Sequence, residues 1–564
     1  MIQTLVEALS ALPRGAARGF RFVSAKDEER YYPFEAIEQE ARRRAAGLAA
    51  QDLKKGDRLA LVVGDPEDFV FSFLGAVLAG VVPVPIHSRA NFSFRARQSY
   101  LDTVRHIVAV SGARALLTDS ASQPVLQEVA GQCRTLERIV LTHELPEGDR
   151  ASFRSPSISP SDVCFMQFTS GRTSQPRGVV VTHGNLVANA RCIFGVRGLD
   201  RREDDVHLAW LPLYHDMGLV GFVLSPLICD VPTVLLPTSA FARRPTVWMK
   251  AMHKYRGTIT YGPNFAYALA ARRTRDEDLA GLDLRHVRIT GCGAEPINPD
   301  ALRAFCDRFA PAGFRAEARL PSYGMAEATL AITFHRRDTP MVTDVVSASA
   351  LARGEAVPVD PPQGGTVELV SCGPAFPGHE VRIVDEDGRP LPERQVGQIL
   401  TRGPSVTSRY FGNPEATAET YREGWLHTGD LGYLAEGNLY ICGRLKDLII
   451  LRGTNYYAHD IEWALAELPG LRLNGVVAFS VQRDGEEALV ICAEARASDL
   501  ESLRTLIAEK VAEVWGLRPA DVVLVRSGSL SQTSSGKVQR RKTKHQYEAG
   551  ELEVLGATLP ADEP

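Results

Sequence analysis

No two of the nine cysteines (Cys133, Cys164, Cys192, Cys229, Cys292, Cys306, Cys372, Cys442 and Cys492) stand in a C-x-x-C pair, which excludes a zinc ribbon or a dithiol redox motif. Their odd, scattered set suits buried reduced thiols, so a cytoplasmic chain is expected. An excess of charge is also missing. Lys and Arg number 64 against 68 Asp and Glu, a formal net charge of -4, and nothing global points to nucleic acid or an anionic membrane surface. The start, MIQTLVEALSALPRG, lacks the basic residues and long apolar core of a signal peptide. One run, Phe69 to Ile86, carries no charge over eighteen residues, the lower limit for a membrane span. Gly75, Gly80, Pro83 and Pro85 interrupt it. A buried helix to about Ala79, a turn at Gly80 and a short buried strand VVPVPI are expected instead. Internal repeats are absent.

What is present is ordinary globular composition. The 564 residues are 45% hydrophobic and 23% charged, enough apolar material for a large core and unlike disorder, collagen or coiled coil. Short β-branched runs such as RLALVV (58–63), ARALLT (113–118), RIVLT (138–142), TVLLP (233–237) and VRIT (287–290) alternate with helical patterns. That rhythm predicts a layered α/β body with mostly parallel sheets. Residues 336–366, rich in Pro, Gly and Ser, break the rhythm and are expected to be an insertion or long loop. HEVRIVDEDGRPLP and VGQILTRG then predict strands around an Asp-Gly turn, and NLYICGR another strand.

From about residue 445 the pattern becomes compact α+β. IEWALAEL and LESLRTLIAEKVAEVW are amphipathic helices, the second with Leu503, Leu506, Ile507 and Val514 on one stripe. GVVAFSV, EALVICAEA and DVVLVR are strands, and a basic helix begins near Lys537. The expected organisation is an N-terminal body over 1–443 with an insertion at about 341–366, a hinge at 444–447 and a small C-terminal domain over 448–564.

The sharpest local feature is FTSGRTSQPRGVVVTHGNL (168–186). Apolar Val163–Phe168 leads into a hydroxyl- and glycine-rich loop, the strand GVVVT follows, and Thr182 is placed to cap a helix. Hydroxyls, approachable backbone N–H groups and the fixed charge of Arg177 meet the needs of a polyphosphate cradle. The pattern is not GxxxxGK[ST], so P-loop chemistry is not indicated.

FTSGRTSQPRG resembles the phosphate-loop motif of the adenylate-forming superfamily of acyl-CoA synthetases, peptide synthetase adenylation domains and luciferases. WLPLYHDMGL (210–219), GPNFAY (262–267), GCGAEP (291–296), PSYGMAEATL (321–330), WLHTGDLG (425–432), GRLKDLIILRG (443–453) and QTSSGKVQRR (532–541) follow in that superfamily's order. Within it, WLPLYHDMGL, GRLKDLIILRGTNYYAHDIE and the insertion resemble the fatty acyl-AMP ligases. The resemblance implies that a fatty acid attacks the α-phosphate of ATP to give acyl-AMP and pyrophosphate, and that the acyl group passes to a separate acyl carrier protein of a polyketide or peptide synthetase. The insertion would restrain the rotation that admits coenzyme A.

The same resemblance assigns residues. Thr169, Ser170, Gly171 and Thr173 match the grip on the β- and γ-phosphates. Arg177 stands where the family has Lys, keeping charge but changing geometry. Arg172 stands where Ser or Thr is usual, a departure that adds a phosphate contact or crowds the loop. Glu327 matches the Mg²⁺ ligand, a hard oxygen for a hard cation. Tyr323, with Gly324 and Met325 behind it, matches the adenine-stacking segment, and Gly293, Ala294 and Glu295 the adenine slot. Asp430 would accept the ribose hydroxyls with help from Arg444. His215 would orient the acyl group or gate its tunnel, and LVGFVLSPL (219–227) reads equally as channel wall or core helix. Lys537 would reach the α-phosphate and carboxylate from the small domain, rotating about Lys446. RRKTKH (540–545) is a solvated face or a docking surface for an acidic carrier protein. Ala458 stands where the family commonly has Pro, with a small structural effect expected. An acyl-CoA synthetase using free coenzyme A, and a nucleotide-binding protein without turnover, remain alternative readings.

Overall fold

The computed structural model describes residues 2–88, 94–146, 153–169, 176–360, 365–451, 454–466, 468–483, 486–496, 499–532 and 538–556. Its largest sheet has eight strands in the spatial order Ala331–Phe334, Arg319–Gly324, Ile289–Cys292, Ile259–Gly262, His207–Ala209, Thr233–Leu235, Gly19–Val23, Glu29–Pro33. The interior pairings are parallel and the two edge pairings antiparallel. A second sheet, Val82–Pro85, Arg58–Val62, Ala115–Thr118 and Arg138–Leu141, is parallel throughout. Strands covered on both faces need apolar side chains on both, which is why these segments read as unbroken hydrophobic runs.

The uncharged run at Phe69–Ile86 folds as expected. Asp65 caps a helix over Pro66–Leu78 by accepting from the N–H groups of Glu67 and Asp68, Gly80 turns at a φ of 71°, and Val82–Pro85 is a buried strand. Among the described residues no helix is long and apolar enough to cross a membrane. All nine cysteines are free thiols, seven of them buried.

A hairpin of Val163–Phe168 and Gly178–Thr182 lies against the Val82–Pro85 strand. Thr182 closes it with a reciprocal capping box to Asn185 at the start of the His183–Phe194 helix. An antiparallel sheet follows, built from Glu380–Val384, Gly397–Arg402, Trp425–Ala435, Asn438–Arg444 and the short Tyr421–Arg422. Beyond it come a hairpin of Leu448–Leu451 and Thr454–Tyr457, the helix Ala458–Ala466, and a three-stranded sheet of Leu471–Arg483, Glu486–Ala495 and Asp521–Arg526. The helices Leu500–Trp515 and Arg540–Glu548 complete this α+β region, which has its own core around Ile461, Ile491, Ile507 and Leu524. Ala458 occupies the first helical position, where proline is tolerated, so either residue fits.

Three expectations are corrected. Residues 336–366, expected as an insertion or long loop, carry regular structure among their described residues. Thr343–Ser347 pairs antiparallel with Thr366–Val370, and a helical turn, Ala348–Leu351, lies between them. Val346, Leu351 and Ala356 are buried with Leu369, Tyr433, Tyr440 and Tyr457, and the apolar contact explains why the segment is ordered. On the Leu500–Trp515 helix Val514 is 36% exposed, and Val511, one turn nearer the middle, takes its place in the core with Leu503 and Ile507. The strand anticipated at VRIT runs over Ile289–Cys292, so its residues reach two positions further toward the GCGAEP turn.

Candidate active site

In sequence, the hydroxyl cluster lies between the two strands of the 163–182 hairpin. Ser170, Gly171, Thr173 and Arg172 lie outside the described residues, but the neck is defined. The Thr169 N–H donates to the Arg177 carbonyl at 3.1 Å, and His106 Nε2 donates to the Pro176 carbonyl at 2.8 Å. Gln167, on the incoming strand, donates through Nε2 to the Tyr214 carbonyl at 2.9 Å, bringing the YHDMG turn alongside. His215 N-caps a short helix there, with Nδ1 2.6 Å from Asp216 Oδ1. The helix continues through a π-helical turn over Val220–Leu224, and Val220, Phe222, Val223 and Leu224 are buried. Both readings of LVGFVLSPL therefore keep their apolar, buried helix.

PSYGMAEATL ends the Arg319–Gly324 strand with a tight reversal. A Cβ at Gly324 would stand 1.9 Å from the Leu330 carbonyl oxygen, so only glycine fits. Met325 is extended and its N–H donates to that same carbonyl at 2.8 Å. Thr329 holds φ 71° and ψ −55°, a costly conformation for a β-branched residue, pinned by Oγ1 donating to the Ser405 carbonyl at 2.7 Å. This strained turn separates Tyr323, at the end of the strand, from Glu327, in the 3₁₀ turn Ala326–Ala328.

Tyr323 is buried and donates its hydroxyl to Asp430 Oδ2 at 2.8 Å. Asp430 Oδ1 lies 3.3 Å from Arg444 Nε, and Asp430 and Arg444 are paired in register on adjacent strands. Tyr323, Asp430 and Arg444, three of the residues expected around adenine and ribose, are thus one contiguous group. Lys446 follows in a short 3₁₀ turn and is exposed.

Glu327 is buried and held twice. Its carbonyl accepts from Thr407 N–H and Oγ1 at 2.8 and 2.9 Å, and its Oε1 accepts from the Tyr410 hydroxyl at 2.7 Å. The Arg177 guanidinium lies over the Tyr410 ring at 5.4 Å. Burial and the Glu327 charge push the Tyr410 phenol up, keeping it protonated as a donor. Burial does the same for Tyr421, whose hydroxyl lies 2.6 Å from Thr407 Oγ1. Thr407, Tyr410 and Tyr421 were not anticipated. The one sequence signal is the tyrosine of SRYFGNPEAT, between two recognised motifs.

In GCGAEP, a Cβ at Gly293 would stand 2.7 Å from the Ser322 carbonyl oxygen, and Ala294 sits at φ 73°. Glu295 turns its carboxylate toward the GPNFAY helix, where Oε1 accepts from the Asn264 N–H at 3.0 Å. Lys537 lies outside the described residues. On either side of it Gln532 and Val538 form an isolated antiparallel bridge, and the Gln539 N–H donates to the Ser531 carbonyl at 2.8 Å. Arg540 is not solvated as expected of the basic run. It forks onto Glu462 at 3.0 and 2.8 Å and reaches Asp447 at 2.8 Å.

This arrangement places a carboxylate suited to a cation, a guanidinium suited to phosphate and a carboxylate suited to a diol around one sheet end. Comparison with known proteins identifies the family. The family described as AMP-binding enzyme matches residues 14–411. The chain belongs to that family. AMP-binding enzymes of this adenylate-forming kind use ATP. Residues 446–556 of this AMP-binding enzyme match the AMP domain of Disco-interacting protein 2-like proteins. It is 39% identical over 97% of its length, and 96% of the relative's, to a Caulobacter vibrioides protein with a provisional acyl-CoA synthetase name. It is 32% identical to the medium-chain-fatty-acid--[acyl-carrier-protein] ligase JamA of Moorena producens, over 97% of this chain and 95% of that one. Among solved structures, one from a study of fatty acyl-adenylate ligases of E. coli and L. pneumophila superposes with a TM-score of 0.91 at 34% identity, covering 97% and 98% of the two chains.

Proposed function

We propose that this AMP-binding enzyme is a fatty acyl-AMP ligase that serves a carrier protein. A medium- or long-chain fatty acid attacks through a carboxylate oxygen at the α-phosphorus of ATP. The α–β anhydride bond breaks, pyrophosphate leaves, and acyl-AMP remains bound. The phosphopantetheine thiolate of a separate acyl carrier protein then attacks the acyl carbon, and AMP leaves. The carrier protein is of the kind used by polyketide and peptide synthetases, and the activity is cytoplasmic.

The observation that carries this reading is the pair of clusters on the Tyr323–Glu327 turn. In it, Asp430 accepts the ribose hydroxyls with Arg444 beside it, and Tyr323 faces the adenine between Gly324, Met325 and the Gly293–Ala294–Glu295 backbone. Thr169, Ser170, Gly171, Thr173 and Arg177 hold the outer phosphates. Lys537 brings an ammonium group to the reacting carboxylate and α-phosphate, and electrostatic stabilisation of the charge developing there is the largest catalytic contribution. His215 orients the acid. Glu327 suits Mg²⁺, being a buried hard carboxylate with one oxygen already fixed. Bound there, Mg²⁺ would neutralise phosphate charge.

The choice of carrier protein over free coenzyme A is supported by the folded 343–370 ribbon. The Ala352 carbonyl accepts from the Asn455 N–H at 3.3 Å, and Tyr457 packs into the ribbon's core. These contacts tie the insertion to the first hairpin beyond the hinge and oppose rotation about Lys446.

The test is pyrophosphate release with ATP, Mg²⁺ and fatty acids of graded length, followed by mass spectrometry of carrier protein offered against coenzyme A. Release with an acid and loading of the carrier are expected. Silence with every acid would sink the reading, and thioester formation with coenzyme A as fast as with carrier would replace it by an acyl-CoA synthetase.

A further inference from the structure

The geometry points to Tyr410 as a positioning residue that couples the cation-binding carboxylate to the phosphate loop, an inference that rests on the reading of Glu327 and Arg177 given above. Its hydroxyl donates to Glu327 Oε1 at 2.7 Å, and its ring lies under the Arg177 guanidinium at 5.4 Å. One side chain therefore fixes the two groups of opposite charge that would meet the same triphosphate.

The backbone makes the linkage stiff. The Phe411 N–H donates to the Gly178 carbonyl at 2.8 Å, the Val180 N–H donates to the Arg409 carbonyl at 3.2 Å, and Val179 bridges Tyr410. The strand leaving the phosphate loop is thus paired to the segment that carries the tyrosine. On the other side, Thr407 grips the Glu327 carbonyl, and Tyr421 backs Thr407. With Oε1 held by the phenol, Glu327 would keep Oε2 to offer a cation. A guanidinium needs a flat face to hold its plane, and the aromatic ring supplies it where the ammonium of a lysine would need none. This gives the arginine at position 177 a structural partner that the sequence alone does not suggest.

The test uses the full chain with Mn²⁺ and ATP. Mn²⁺ binding is followed by electron paramagnetic resonance and the metal dependence of pyrophosphate release is followed in parallel. Tyr410→Phe keeps the ring and loses the hydroxyl. A charge-assisted hydrogen bond of ordinary strength predicts roughly tenfold weaker Mn²⁺ binding in the presence of ATP and a similar rise in the half-saturating metal concentration. In a Glu327→Gln background the same substitution is expected to change Mn²⁺ binding by less than about twofold, since the coupled partner is gone. Tyr410→Leu, which also removes the ring, adds a rise in KM for ATP. Unchanged Mn²⁺ binding in Tyr410→Phe, or an equal loss in both backgrounds, would overturn the assignment. If Tyr410→Phe melts far below the parent, Thr407→Val makes the same measurement from the other side of Glu327, with a loss of Mn²⁺ affinity expected and none overturning the coupling. Should no acid release pyrophosphate, the reading of function fails while the Mn²⁺ comparison still decides the role of Tyr410.

Discussion

Arg540 pairs with Asp447 at 2.8 Å, joining the helix that begins three residues after Lys537 to the residue that follows Lys446. The same guanidinium forks onto Glu462, so the Arg540–Glu548 helix, the Leu445–Asp447 turn and the Ala458–Ala466 helix share one cation. A lobe that turns about 444–447 would carry the lysine loop with it as a unit.

Replacing Arg540 by Ala leaves two partly buried carboxylates facing each other. A loss of about 1–3 kcal/mol of stability is expected, below the figure for fully buried pairs because all three side chains keep some exposure. Acyl-AMP formation slows while KM for ATP stays close to the parent's. Arg540→Lys recovers only part of the rate, since a point charge cannot fork. Melting curves and exchange of labelled pyrophosphate into ATP check both. Full activity in Arg540→Ala would separate the loop from the hinge.

Asp430 binds the Tyr323 hydroxyl and Arg444 before any nucleotide arrives. Asp430→Asn keeps the shape and removes the charge. KM for ATP is expected to rise roughly ten- to a hundredfold, as for loss of charge-assisted hydrogen bonds. The preference for ATP over 2′-deoxy-ATP is expected to shrink in the variant. An undiminished preference would take the ribose role from Asp430.

His183 is buried, and its Nδ1 accepts from the Leu5 N–H at 3.1 Å. Burial pulls its pKa down to about 4, with Asp162 and Glu7 opposing and Lys55 adding to the shift. The folded state therefore resists protonation that the unfolded chain accepts below about 6.5. Stability is full above that pH and falls as the pH drops toward 4, by about 3 kcal/mol from this residue. His183→Gln, which keeps an acceptor for Leu5, is expected to flatten this limb of a urea-melt profile between pH 7 and 4. A limb of unchanged slope would remove the assignment.

Asp344 anchors the 343–370 ribbon. It lies 2.8 Å from Arg394 and accepts from the Tyr433 hydroxyl at 2.8 Å. Asp344→Ala leaves the buried phenol without its acceptor and is expected to cost about 1–3 kcal/mol. If the ribbon restrains the small lobe, the same variant gains turnover with free coenzyme A relative to carrier protein. Thioester formation by the two acceptors, read side by side, tests this.

The fully buried parallel strands were legible because burial on both faces leaves an unbroken apolar run, as at Arg58–Val62 and Ala115–Thr118. The capping of the His183–Phe194 helix by Thr182 was legible because hydroxyl and helix start are neighbours in sequence. The ribbon was not. Its strand TDVVS buries only alternate residues, and the glycines and prolines around it mask that short period. Val514 misled because the helix turns its last residues out of the core, and Val511 had the better angle. Tyr410 was out of reach for another reason. Its partner Glu327 is 83 positions away, and only the folded sheet brings a hydroxyl of no special motif to a carboxylate.

The bond across the neck between Thr169 and Arg177 gives the phosphate loop a fixed base. Whatever side chains occupy the arc between them, the two stems stay in register with the hairpin and with the helix behind it. Transplanting residues 170–175 from a relative is therefore expected to leave the melting temperature of the protein close to the parent's, because the bond that closes the neck lies outside the exchanged segment.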